Sequence, residues 1–175
     1  MFGAFRQYLT NEDGNASIEF VILFPFFMFL FMSIVEMGFL TTRAVLLERG
    51  LDMAARDVRL DLIQDLDHEK LKNRICELST ILVYCLDDMF LELKVFDKND
   101  PYPQNAPSCQ DRTARGSIDP KTEFNPGGRS EIMFIRACLV VDPLVPGLGI
   151  GLLLPRDASG GYQLVSYTAF VNEPN

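Results

Sequence analysis

From Ile18 to Leu40 the chain is apolar except at Glu19, Ser33 and Glu36. The run is far too long for a strand, and at 1.5 Å per residue it predicts a helix of about 35 Å, enough to cross a hydrocarbon layer about 30 Å thick. From Thr41 to Gln64 the pattern becomes amphipathic: Val45, Leu46, Leu51, Met53 or Ala54, Val58 and Leu62 recur at steps of three and four. Arg43, Glu48, Arg49, Asp52, Arg56, Asp57, Arg59 and Asp61 lie between them, as on a solvated helix face. If the two stretches are continuous, one helix of about 45–50 residues runs roughly 70 Å, with Pro25 predicting a kink and Gly50 weakening it by about 1 kcal/mol.

Shorter elements follow. Asp65 or Asp67 can cap a second helix through Glu69, Leu71, Ile75 and Leu78. After Ile81-Leu82-Val83-Tyr84 and Cys85, the segment Phe90 to Phe96 alternates as a half-buried strand with Leu91, Leu93 and Val95 inward. Residues 97–129 are rich in Pro, Asn, Asp and Gly and predict a long loop. Ile132 to Val141 has the branched, apolar composition of a central strand, in which Arg136 needs a partner or an open face. Tyr162 to Val171 predicts the last strand, stopped by Asn172-Glu173-Pro174. The expected fold class is α+β: a long N-terminal membrane-spanning helix, then a small extracytoplasmic domain with a short helix and an antiparallel sheet near Leu91, Ile135 and Val165. In ranges, 1–14 is a cytoplasmic leader, 15–40 the transmembrane helix, 41–64 its amphipathic extension and 65–175 the domain.

Charge and composition narrow the function. In 175 residues, 16 Lys and Arg stand against 24 Asp and Glu, and a net charge of −8 argues against a nucleic-acid partner. Cys76, Cys85, Cys109 and Cys138 contain no Cys-x-x-Cys pair and His68 is the sole histidine, so disulfides are favoured over free core thiols and a zinc site is poorly supported. Asp97, Asn99 and Asp100 lack the glycine and terminal glutamate of a calcium loop, and Pro146 to Leu152 lacks the glycine spacing of a nucleotide loop. Neither catalytic pairs nor a cofactor is indicated, and His68 is expected on the solvated surface. The apolar run exceeds that of a cleaved secretory signal, so it is expected to stay in the protein. Arginines after the run favour a cytoplasmic body by the positive-inside rule, whereas the cysteines favour an outside one. Glu19 and Glu36 both read as interfacial charges at the two ends of the span, where the lipid bilayer is the partner.

Gly14 followed by Asn15, then Glu19 and Phe20 ahead of an apolar helix with Pro25 and Glu36, resembles the processing site of type IV pilin-like precursors. The arginine-bearing helix, the Cys76 and Cys85 pair before a strand, the Arg136-Ala137-Cys138 strand and the ending Thr168-Ala169-Phe170-Val171-Asn172-Glu173-Pro174 extend the likeness over nearly the whole chain. Together they resemble the TadE/TadG family of bacterial tight-adherence (Tad) pilus systems. The resemblance implies a minor pilin or pseudopilin of the bacterial inner membrane, single-pass, with its C-terminal domain periplasmic or extracellular. It implies cleavage between Gly14 and Asn15 by a prepilin peptidase, and an assembly contact at Glu19 and Phe20 with other pilin-like subunits and the Tad assembly machinery. An uncleaved anchor whose outer domain binds a secretion or surface partner is the alternative. The favoured disulfide pairing is Cys76 with Cys85 and Cys109 with Cys138.

Overall fold

A computed structural model describes residues 15–96, 109, 123–146, 154, 156, 157 and 159–173. Helix α1 (Asn15–Arg59) is unbroken through Pro25. Its two halves meet different surroundings. Up to Met32 the large apolar side chains are mostly exposed, whereas from Ser33 onward one stripe turns inward: Ser33, Glu36, Leu40, Ala44, Leu47, Leu51, Ala54 and Val58. Steps of three and four keep such a stripe on one side of a helix. Val45, Met53 and Leu62, which the amphipathic pattern also suggests as inward, are exposed.

α1 stops at Arg59, short of Gln64, for a backbone reason. Leu62 N–H donates to Asp57 O and Asp61 N–H to Val58 O, each at 3.0 Å, with Asp61 at φ 53°. This is a Schellman stop with an aspartate in the left-handed position that glycine usually takes. Helix α2 (His68–Leu78) then starts from Asp67, whose side chain accepts from Lys70 N–H at 2.7 Å. Leu71 and Ile75 face the core, and the Cys76–Cys85 disulfide ties α2 to the short helix α3 (Cys85–Asp88).

The sheet is antiparallel in the order β1 (Met89–Val95), β2 (Ile132–Val141), β3 (Tyr162–Val171). Register sets Leu91 opposite Ala137 and Ala137 opposite Ser166, with Leu93 opposite Ile135 and Leu139 opposite Leu164. The apolar residues among them face α1 and α2 and form the main core, with Met89, Met133, Val141 and Tyr162. On the other face Phe90, Cys138 and Val140 cluster with Cys109, which is disulfide-bonded to Cys138. Arg136 finds its partner directly across the strands, where it is ion-paired with Glu92. Part of the expected loop is also ordered against the sheet: Leu93 N–H donates to Glu123 O and Asn125 N–H to Leu93 O. Residues 1–14, Asp97, Asn99, Asp100 and the glycines at 147, 149 and 151 lie outside the described residues.

Gly50 has a packing role that its low helix propensity conceals. It is buried where α1 meets α2, and a Cβ there would overlap Ser79 Oγ and sit 3.1 Å from Ile75 O. Ser79 Oγ in turn donates to Leu46 O at 3.1 Å. On an exposed helix face Gly50→Leu would stabilise by up to about 1 kcal/mol. Here it is expected to cost about 1–3 kcal/mol by forcing the two helices apart. Thermal unfolding of the detergent-solubilised chain measures this, and a raised Tm would contradict the close approach.

Candidate functional site

The candidate site is the free half of α1 and the junction at which the domain takes hold of it. Among the described residues, α1 is the helix long and apolar enough to cross a membrane by length and composition. Its polar groups are few and each is accommodated differently. Ser33 Oγ donates to Phe29 O at 2.7 Å, Thr41 Oγ1 to Met37 O and Thr42 Oγ1 to Gly38 O at 2.8 Å. Hydroxyls bonded back to the preceding turn need no water, which suits a helix in lipid. Glu19 is exposed and has no partner among the described residues. Phe20 is exposed beside it, its ring 5.2 Å from that of Phe24. The helix begins at Asn15, and Gly14 lies outside the described residues.

Glu36 is not the interfacial charge that its place near the end of the run suggests. It is 3% exposed, and Tyr162, 4% exposed, donates its hydroxyl to Glu36 Oε1 at 3.1 Å. Sequence reasoning could not find this pair, because its members are 126 residues apart. One turn or two further along, Arg43 Nη1 donates to Asp142 O at 2.9 Å and the guanidinium lies 4.5 Å from the Phe39 ring centre. The Arg156 guanidinium lies 5.5 Å from the ring of Tyr162.

At the far end of the domain, Arg59 Nη2 meets Glu173 Oε1 at 2.8 Å. Asn172 is buried, with Nδ2 donating to Pro126 O and Gly128 O at 3.2 and 3.3 Å. β3 therefore runs alongside α1 from Glu36 to Arg59: the helix covers about 35 Å in that interval and the strand about 37 Å. His68 is half-buried rather than solvated, with Nε2 3.2 Å from Leu91 O and its ring edge-on to Phe124. Among the described residues no three His, Cys, Asp or Glu side chains converge as metal ligands would. The four cysteines form the two bonds Cys76–Cys85 and Cys109–Cys138.

The Glu36–Tyr162 bond carries a prediction at two pH values. Burial first, then the bond to Glu36, raises the Tyr162 hydroxyl above its usual value. A raised folded-state pKa means that the contribution is complete below the unfolded value, about 10, and is lost as pH climbs through the folded one. At pH about 8, Tyr162→Phe is expected to cost about 1–3 kcal/mol, because a buried carboxylate loses its donor. As the pH is raised past about 10 the parent should lose that advantage, and the two melting curves should converge. Thermal melts of both proteins in detergent test it; a gap unchanged by pH would exclude the hydroxyl as its source.

Comparison with known proteins returns one family. Residues 14–56 match the model described as TadE-like protein. No curated protein and no solved structure matches the chain significantly. The match covers less than the near full-length likeness expected from the motifs: it begins at Gly14, one residue before α1, and ends inside the part of α1 packed on the domain. Over the helix that joins its apolar span to its core, the chain is similar to TadE-like proteins.

Proposed function

We propose that this chain is a minor pilin or pseudopilin, a membrane-held structural subunit that assists assembly of a Tad-type (Flp) pilus in adhesion or secretion. The TadE-like match over residues 14–56 supports a place in a Tad pilus system and a structural role. The observation that carries the proposal is the free half of α1, an apolar helix uncovered by its own domain and bearing the exposed Glu19 near its start. Such a surface is incomplete in an isolated chain and suits both lipid and the like helices of neighbouring subunits.

Prepilin peptidase acts in this proposal between Gly14 and Asn15, so the cut falls where α1 begins. It leaves an amine at Asn15, one helical turn before Glu19. In a bundle of such helices the carboxylate of one subunit can face the new amine of another. Opposite charges attract strongly in a low dielectric, which offsets part of their desolvation. Phe20 supplies apolar contact beside that pair. The domain stands on the periplasmic or extracellular side of the inner membrane. Two disulfides, with Cys85 and Cys138 buried, fit an oxidising compartment.

N-terminal sequencing of the protein from its native membrane is expected to begin at Asn15, and an intact Met1 in cells with active peptidase would favour the uncleaved anchor. Separately, Glu19→Ala is expected to reduce piliation severalfold at unchanged protein level, since the exposed carboxylate makes no contact that holds the domain together. Equal piliation at equal expression would remove Glu19 from assembly.

A further inference from the structure

We infer that the domain's helix-proximal rim is itself a membrane contact, seated in the headgroup layer of the bilayer that α1 crosses. The inference rests on the reading of α1 as a membrane span. Its first support is a length. The helix is uncovered all round only from Ser17 to Met32, about 24 Å, and any tilt shortens the depth it spans. A hydrocarbon layer of about 30 Å therefore reaches the level at which Ser33 and Glu36 turn inward beneath the domain.

The second support is what stands within about two helical turns beyond Glu36. Asp142 is fixed to Arg43, so Leu144, two residues on, projects from the same end of the domain, 49% exposed. Val83 and Tyr84 line a shallow pocket with Arg43, Val141 and Asp142, and each is 65% exposed. Phe39, under the Arg43 guanidinium, is also exposed. Two apolar side chains, a tyrosine, and an arginine over a phenylalanine make the composition that the water–lipid boundary favours: rings and alkyl groups on the lipid side, a cation at phosphate depth.

The third support is backbone. Tyr84 has φ 59° and ψ 23°, a left-handed conformation disfavoured for a bulky side chain, and its neighbour Cys85 is held by the bond to Cys76. The fold thus fixes an exposed aromatic in an unfavourable conformation at the one end of the domain that faces the span. Glu36 completes the picture. Under Tyr162 its carboxylate is withdrawn from the lipid, so the bilayer can approach the rim without meeting that charge. With a net charge of −8 the chain gains little from anionic lipid, so the contact is aromatic and apolar and should form on zwitterionic phosphatidylcholine.

The chain contains no tryptophan, so a single introduced one reports its own surroundings. Four variants of the full chain, Phe27→Trp in the span, Tyr84→Trp and Leu144→Trp on the rim, and Val171→Trp at the opposite end of β3, are reconstituted into vesicles of phosphatidylcholine with brominated acyl chains. Phe27→Trp should be quenched most, the two rim positions about half as much and more by shallow than by deep bromines, and Val171→Trp hardly at all. If Phe27→Trp is quenched while both rim positions behave as Val171→Trp does, the rim contact is wrong and the span stands. If Phe27→Trp escapes quenching too, the span reading itself fails. Blue-shifted rim emission without quenching would overturn the inference in favour of a protein covering the rim.

Discussion

The structure depends on one helix having two kinds of surface. The residues of α1 up to Met32 present apolar groups all round, as a helix in lipid does, and those from Ser33 to Val58 present a single apolar stripe to a protein core. Because both halves belong to one hydrogen-bonded rod, the stripe's direction fixes how the sheet sits relative to the span. Leu47, Leu51, Ala54 and Val58 supply one wall of the core, Leu71 and Ile75 of α2 a second, and the inner face of the sheet the third. Burying a Leu or Val side chain is worth about 1.5–3 kcal/mol, so this stripe outweighs the polar contacts along the same helix. The exposed Arg59–Glu173 pair contributes about 1 kcal/mol at most and serves mainly to fix register.

The largely buried Glu92 and Arg136 and the buried Glu36 each lie beside a partner that strand register positions. Glu92 and Arg136 face each other because the register of β1 on β2 makes them opposite, so neither has to search for the other. Glu36 depends in the same way on Val141 pairing with Tyr162, which sets the phenol beside α1. Both pairs are costly to break from one side, since removing a partner leaves the other desolvated and unpaired. They sit on opposite faces of the sheet, one in the outer layer and one at the junction with the span. A slip of one residue between β1 and β2 would undo the first, and one between β2 and β3 the second, a penalty on wrong registers added to that of the apolar side chains.

The local pattern of the sequence was enough to place every strand, both longer helices and the inward set Leu91 and Leu93, because periodicity and capping are nearest-neighbour properties. The end of α1 was missed by five residues because Asp61 fills a position where glycine is the usual signal. Val45 and Leu62 were misassigned since a helix of mixed three- and four-residue steps allows more than one apolar stripe, and only the packing partner selects among them. Glu36, Gly50 and His68 were misread for a common reason: each is defined by a residue distant in sequence, Tyr162, Ser79 and Leu91 respectively. Of the candidate site, the sequence marks Glu19 as an interfacial charge and Phe20 through the family resemblance alone, whereas the junction needed the fold.

That junction bears on how force passes between the uncovered half of α1 and the domain. Between Ser33 and Arg59 the helix is held by its stripe along the full length of β3, and Gly50, one of the two glycines there, is clamped against α2. Gly38 has open space around it, but it lies inside the interval bounded by Glu36 and Arg43, both of which are tied to the domain. Pro25, by contrast, lies in the uncovered half, where the bond missing from its nitrogen is supported by no packing from the domain. Bending of α1 is therefore cheapest in its uncovered half and costly along the domain. A pull on the free end of the helix would be absorbed first at Pro25, and what passes beyond it would move span, junction and sheet as one body.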